Sequence, residues 1–401
     1  MNKTQKALID FILTAIHEDY TNYTIDKTIN LAELYEEAMA HQVHTLIYPT
    51  ILKYNNETTI YKSYFDNKKT DFLLDIAMEE AHANQIKKVL EEFHTRDIPV
   101  VILKGLVLRD YYPDPTLRLM GDGDILVKKQ DVNASKVLLK SLGYKEGKST
   151  LRHINFHLNG FKEIELHTIL SDSELDEEGE TFTDTIWANT VYTSFLNAPA
   201  LKLSLYDQLV HLILHASQHM SSGGFGLRQL CDIALYVQVH LEEIDLDTLL
   251  NSSLHYKIHR FSLAVLTVCQ RLFHLNLPKL ACYELEENYL ELFIQDILNA
   301  GVFGRKTNER TSSNKLIKYM DAKNTNGKLS KAKYFISFFF PSYRIIRRNY
   351  HYVIKHPYLL PFAWLHRILR NIGQLLTFKP DHNLNHIQEN RFKLLLWLQL
   401  R

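Results

Sequence analysis

Two aspartates, Asp122 and Asp124, stand one residue apart in the stretch LKGLVLRDYYPDPTLRLMGDGDILV, residues 103–127. Residues two apart on a strand point the same way, so both carboxylates leave one face while Ile125 and Val127 enter a core. Two such anions repel unless a cation lies between them. Mg²⁺, or Mn²⁺ in its place, meets that need, because it takes one or two protein carboxylates and fills its octahedron with water and phosphate oxygens. Glu165, downstream in FKEIELH, offers a third ligand. Such a set activates an attacking hydroxyl and stabilises departing pyrophosphate in an in-line displacement.

Phosphate needs positive partners as well. Lys104 and Gly105 fall where a strand gives way to a helix, where free backbone N–H groups favour an anion. Gly105 allows close backbone approach, and Lys104 brings a point charge to the β- or γ-phosphate of an NTP. Arg118, four residues before Asp122, is expected either to touch phosphate or to hold the carboxylates in position. His167 shares a strand face with Glu163 and Glu165, which places it near a phosphate or near Glu165 itself. His153 and His157, on the facing arm, are expected at the sheet surface.

Farther on, HLILHASQH sets His211, His215 and His219 along one helical stripe. That spacing suits a zinc-dependent hydrolase, yet Leu212 occupies the place where H-E-x-x-H needs a glutamate. The better expectation is that His215 lines the cleft while its neighbours pack. Arg228 and Asp232 in LRQLCDIA are expected to pair at i,i+4 and fix helices, with Arg228 also near the cleft.

These residues need elements to carry them. Residues 1–96 read as an N-terminal helical region, since QKALIDFILTAIH, LAELYEEAMAHQVHTLIYPTILKY and DFLLDIAMEEAHANQIKKVLEEFHTR place apolar residues at three-and-four spacing. The pattern then switches: Pro99 forbids helix, and Val-Val-Ile-Leu suits a buried strand. Within 97–200 follow a short helix, the GDILV strand, and a helix that opens at Asp131 and closes at Gly143. A hairpin turns at Asn159-Gly160. Helices resume over 201–300. A Gly/Asn/Ser/Lys-rich stretch, 305–331, is the candidate linker within a basic aromatic helical tail, 301–401.

At 401 residues with 46% hydrophobic content, the chain can bury two or three cores. Its first residues lack a cleavage signal, and no apolar run reaches the roughly 20 residues of a membrane span. Cys231, Cys269 and Cys282 have no C-x-x-C spacing, as expected of reduced thiols in a cytoplasmic protein. The net charge of zero hides an asymmetry: residues 301–401 hold 19 Lys and Arg against 4 Asp and Glu, the rest 27 against 42. The tail therefore either packs on its own acidic body or meets an anionic partner, a nucleic acid or membrane surface. Arg344, Arg347, Arg348 and Lys355 among Tyr343, Tyr350, Tyr352 and Trp364 have the composition for it.

The order Lys-Gly, short helix, YPDPTLR, Asp-x-Asp, then the carboxylate of IELH resembles the uncharacterised nucleotidyltransferase family (NTP transferase 5) of the DNA polymerase beta superfamily. YDQLVHLILHASQHMSSGGFGLRQLCDIA and FFFPSYRIIRRNYHYVIKHPYLLPFAWLHRILR are also similar to its helical regions, so the resemblance covers most of residues 30–375. It implies an α+β fold, a small mixed sheet carrying the acidic site between helical regions, and Mg²⁺-dependent transfer of a nucleoside monophosphate to an acceptor. By the motif, Asp122 and Asp124 match the metal-binding pair and Glu165 the third acid. The wider superfamily has Gly-Ser where this chain has Lys104-Gly105, and commonly Asp where Glu165 stands. Those departures make a catalytically inactive scaffold that binds nucleotide, nucleic acid or a membrane surface the alternative reading. The acceptor, whether small molecule, protein or RNA, is not legible.

Overall fold

The computed structural model describes residues 1–18, 28–55, 61–150, 152–170, 182–302, 340–347, 350, 352–376 and 382–400. Four helices open the chain: α1 (Lys3–His17), α2 (Leu31–Ala40), α3 (His44–Asn55) and α4 (Lys62–Thr95). Asparagines start the first two, Asn2 accepting from the Gln5 N–H and Asn30 from those of Ala32 and Glu33. Helix α4 runs for 34 residues, and its later turns carry the apolar stripe Ile86, Val89, Leu90 and Phe93. That stripe packs on a sheet.

Seven strands form the sheet: β1 (Val101–Ile102), β2 (Asp122–Leu126), β3 (Lys145–Ser149), β4 (His153–His157), β5 (Glu163–His167), β6 (Val191–Phe195) and β7 (Ala198–Lys202). Their order is β3-β4-β5-β2-β1-β7-β6. Strand β2 runs parallel to β5 and β1 to β7, the other neighbours being antiparallel. The expected α+β class with a mixed sheet is what the chain adopts. Ile125, Val127, Ile164 and Leu166 join the α4 stripe and Leu138 and Leu139 of α6 (Val132–Ser141) in one core. Each such side chain contributes about 1.5–3 kcal/mol when buried, and a one-residue slip of β2 would turn Ile125 to the polar face and drive the carboxylates into the apolar core. The core thereby fixes the register of the acidic face.

The β4–β5 hairpin turns at Gly160, whose φ of +84° suits the Asn159-Gly160 signal. Residues 191–202 carried no strand expectation, yet they form the β6–β7 hairpin. Its two loop residues, Leu196 and Asn197, both have positive φ (48° and 69°), the backbone of a tight primed turn. Asp131 does stand before α6, but its side chain makes no capping bond.

Short helices α5 (Gly105–Leu108) and α7 (Phe182–Ile186) punctuate the sheet, and α8 (Leu205–Ser222), α9 (Leu227–Val239), α10 (Leu246–His255), α11 (His259–Phe273) and α12 (Glu287–Ala300) follow it. Cys231 and Cys269 are buried free thiols, whereas Cys282 is exposed. The chain divides into two compact units, one formed by residues up to 306 with 397–401, the other by 307–396. Of the second unit, α13 (Tyr343–Ile346), α14 (Tyr352–Lys355) and α15 (Leu360–Leu376) are described, and α16 (His382–Trp397) closes the chain. Ile346, Tyr350, Val353 and Ala363 form its small core, against which Tyr343, Tyr352 and Trp364 pack. Arg347 and Arg370 lie over the Tyr343 and Tyr350 rings. The Arg344 side chain, Arg348 and the candidate linker lie outside the described residues. No described helix is long and apolar enough to cross a membrane.

Candidate active site

Parallel pairing of β2 with β5 sets Asp124 opposite Glu165 and Asp122 opposite Glu163. One carboxylate oxygen each from Asp122, Asp124 and Glu165 lies within 4.8 Å of the others. Asp124, 3% exposed, sits at the centre: its Oδ1 accepts from Lys104 Nζ at 2.7 Å and lies 2.7 Å from His167 Nε2. The same imidazole nitrogen is 3.2 Å from Glu165 Oε2. Five of the expected site residues, Lys104, Asp122, Asp124, Glu165 and His167, are thus brought together.

Their charges are set unequally. The neighbouring Asp124 carboxylate, and then burial, push Asp122 up to about 7. Burial would raise Asp124 too, but the Lys104 ammonium and the His167 hydrogen bond hold it well below the carboxylate range. Glu165 behaves likewise, burial being outweighed by its bond to His167 so that it is lowered. Two ionised carboxylates and a third that ionises near neutrality form the donor set that a divalent cation fits.

Lys104 occupies a special backbone position. Its φ of +46° and ψ of −117° put it at the first corner of a reverse turn closed by the Leu106 N–H on the Leu103 carbonyl at 3.1 Å. Glycine is favoured there, so a lysine costs about 1–3 kcal/mol and persists only where its surroundings hold it. The side chain it delivers bridges to Asp124. Helix α5, at four residues, is too short to offer an anion the helix start expected at Lys104-Gly105. Gly105 also differs from expectation: a Cβ there would stand 2.4 Å from Arg118 Nη1, so its smallness admits the arginine.

Arg118 contacts neither Asp122 nor Asp124. Its guanidinium pairs with Asp232 of α9, Nε to Oδ1 at 3.1 Å and Nη2 to Oδ2 at 2.6 Å, both side chains 6% exposed. The expected Arg228–Asp232 pair is thereby displaced, because the two-pronged fork of Arg118 takes both oxygens. Arg228 Nη1 instead donates to the Leu119 carbonyl at 3.0 Å and Gln42 Oε1 at 2.5 Å, and burial lowers its pKa to about 10. Tyr112 also donates to Asp232 Oδ1, Thr45 to the Leu117 carbonyl, and the Met120 N–H to Glu79. Glu79, fully buried on α4, accepts from Lys162 of the β4–β5 loop as well. The loop that delivers Asp122 is thus clamped by α3, α4 and α9. Glu79, Tyr112 and Thr45 escaped the sequence reading because nothing local marks a partner so far along the chain.

Gly121 and Gly123 flank Asp122. A Cβ on Gly121 would meet nothing within 4 Å, while one on Gly123 would stand 2.6 Å from Ile86 Cδ1. Gly123 therefore serves the opposite face, letting α4 approach the sheet. His153, expected at the surface, has a side chain only 14% exposed, with Nε2 3.6 Å from Glu165 Oε1 and its ring 5.1 Å from that of His167. His157 is exposed and lies 3.1 Å from Glu163.

The α8 histidines belong to neither metal-ligand grouping among the described residues. His215 Nε2 lies 3.0 Å from His219 Nε2, and both of the buried His211 ring nitrogens lack partners among the described residues. Burial, then the Lys104 charge, lowers His211 to about 3 and His219 to about 4 and depresses His215 well below its usual value. All three are neutral imidazoles within the field of the acidic site. Arg152, just before β4, reaches Gln218 Oε1 on the same helix at 3.1 Å.

No curated protein matches the chain. Among solved structures, the solution structure of the antibiotic-resistance factor ANT(2'')-Ia is similar at 13% identity, covering 41% of this chain and 88% of that one with a TM-score of 0.33. A family model described as uncharacterised nucleotidyltransferase matches residues 27–274, which include every carboxylate of the site and the clamp that holds it. By that match, over more than half its length, the chain belongs to the uncharacterised nucleotidyltransferase family.

Proposed function

We propose that the chain transfers a nucleoside monophosphate from an NTP to an acceptor hydroxyl. The observation that carries this reading is the convergence of Asp122, Asp124 and Glu165 within 4.8 Å on two parallel strands, with Lys104 beside them. Asp122, Asp124 and Glu165 would hold Mg²⁺ or Mn²⁺, which when bound supplies the positive charge that activates a hydroxyl and neutralises phosphate oxygens. Lys104 brings its ammonium to the triphosphate, delivered by a strained turn next to Gly105. The acceptor oxygen bonds to the α-phosphorus, the bond from that phosphorus to the bridging oxygen breaks, and pyrophosphate leaves with the electron pair. Glu165 is ionised and stands ready either to complete the ligand set or to take the hydroxyl proton. Arg118 and Arg228 act on the loop as positioning residues, and His167 fixes Asp124 and Glu165. His215 lines the same space from α8.

We assign the basic C-terminal region to an anionic acceptor or partner, supported by its charge excess. Free thiols in both core and surface suit a cytoplasmic setting. The test is label transfer: full-length protein with Mg²⁺ or Mn²⁺, each α-³²P nucleotide, and cell extract as a pool of acceptors, beside Asp122→Ala/Asp124→Ala. Label on a protein, RNA or small molecule with the wild type alone supports the reading and identifies the acceptor class. Folded, nucleotide-binding protein that labels nothing overturns catalysis in favour of the scaffold.

A further inference from the structure

Glu165 belongs to two ligand sets. One is the all-oxygen set with Asp122 and Asp124; the other joins Glu165 to His153 and His167, again with one ligand atom from each within 4.8 Å of the others. His153 comes from β4 and the other two from β5, strands paired so that His153 stands directly opposite His167. The β4–β5 hydrogen bonds thus fix the two imidazoles on one sheet face, their ring centres 5.1 Å apart, with the Glu165 carboxylate against both. Ligands held about 2.1 Å from one ion lie about 3–4 Å apart. The separations of 3.2 Å and 3.6 Å from the two imidazoles to Glu165 already fall in that span.

We propose that His153, Glu165 and His167 form a second cation site, selective for a borderline transition metal such as Zn²⁺ or Co²⁺, which shares Glu165 with the acidic set. Two imidazoles and one carboxylate are a donor set that Mg²⁺ serves poorly, because hard cations bind oxygen and reluctantly shed water for nitrogen. Selectivity between the sites then follows from donor chemistry, oxygen on β2 and nitrogen on the β4–β5 hairpin. His167 Nε2 also lies 2.7 Å from Asp124 Oδ1, a hydrogen bond that this nitrogen exchanges for the ion when it ligates. The opposite ring nitrogen, Nδ1, is buried with no partner among the described residues in both His167 and His153. The inference goes beyond nucleotidyl transfer and stands on the ligand set alone.

The probe is Co²⁺, whose visible absorption reports nitrogen ligation, added to full-length protein stripped with chelator and kept in millimolar Mg²⁺. We expect about one Co²⁺ per chain to resist Mg²⁺, with His153→Ala weakening it at least about tenfold and Asp122→Asn leaving it in place. Circular dichroism checks each fold, and His153→Gln replaces His153→Ala should the latter unfold. Co²⁺ that Mg²⁺ displaces, or that binds His153→Ala as tightly as wild type, overturns the site. Co²⁺ retained while no nucleotidyl transfer is found overturns the proposed activity and upholds this inference.

Discussion

Replacing Asp122 should help the metal-free fold and end the chemistry. Asp124 and burial push its carboxyl up from 3.8 to about 7. Between about pH 4 and 7 the folded chain therefore keeps a proton that the unfolded chain has released, and this group's contribution to stability falls as pH rises through that window. At about 1.4 kcal/mol per tenfold, the loss approaches about 4 kcal/mol above neutrality. Asparagine keeps the shape and removes the repulsion, less about 1–2 kcal/mol for an amide hydrogen-bonded differently from a carboxylate. We expect Asp122→Asn to be more stable than wild type by about 2 kcal/mol near pH 8.5, the gain crossing zero near about pH 5 and becoming a loss of about 1–2 kcal/mol toward about pH 4. Urea unfolding followed by circular dichroism at stepped pH, in chelator, measures it. Mg²⁺ should then narrow the gap by stabilising only the wild type, by about 1.4 kcal/mol at ten times its dissociation constant. A variant less stable than wild type at high pH, or one with the same pH profile, would refute the view that Asp122 and Asp124 are a repelling pair awaiting a cation.

Gly123→Ala should lose about 1–3 kcal/mol by overpacking against Ile86 Cδ1, and Ile86→Val, which removes that atom, should restore much of it in the double variant; denaturant midpoints decide. Arg118→Met, which strands a buried Asp232, should lose about 3–5 kcal/mol, and Arg118→Met/Asp232→Leu should lose less than the single change. Equal losses in the two would mean that the pair is not a unit. Lys104→Gly relaxes the turn while removing the counter-charge of Asp124, so stability should hold within about 1 kcal/mol as label transfer disappears; retained transfer would take Lys104 out of the site.

What the sequence disclosed was what neighbours can encode. Asp-x-Asp on an alternating strand, the Asn159-Gly160 turn and the Glu165 face are local patterns, and the structure reproduces them. Arg118 and Gly105 show where locality ends. Their chain neighbours point Gly105 to phosphate and Arg118 to phosphate or to the carboxylates, whereas the actual partner of Arg118 lies 114 residues away and the glycine is small to admit that arginine. Gly123 sits between two carboxylates, yet the atom that requires a glycine there is on α4, before the sheet begins. The β6–β7 hairpin hides because Leu196, in a positive-φ turn position, is a residue no turn rule selects. His153 looked like sheet surface since alternation gives the face of a residue and not what covers that face.

The 114-residue span between Arg118 and Asp232 also orders events at the ribosome. The strands bearing Asp122, Asp124 and Glu165 are made before α9, so the loop leading into them emerges after the α3 and α4 arms of its clamp but before the Asp232 arm. At about 5–20 residues per second, the wait is about 6–20 s. A nascent chain in that interval carries the carboxylates on a loop whose Arg118 has no partner yet, and the loop is held in full only once Asp232 has left the exit tunnel.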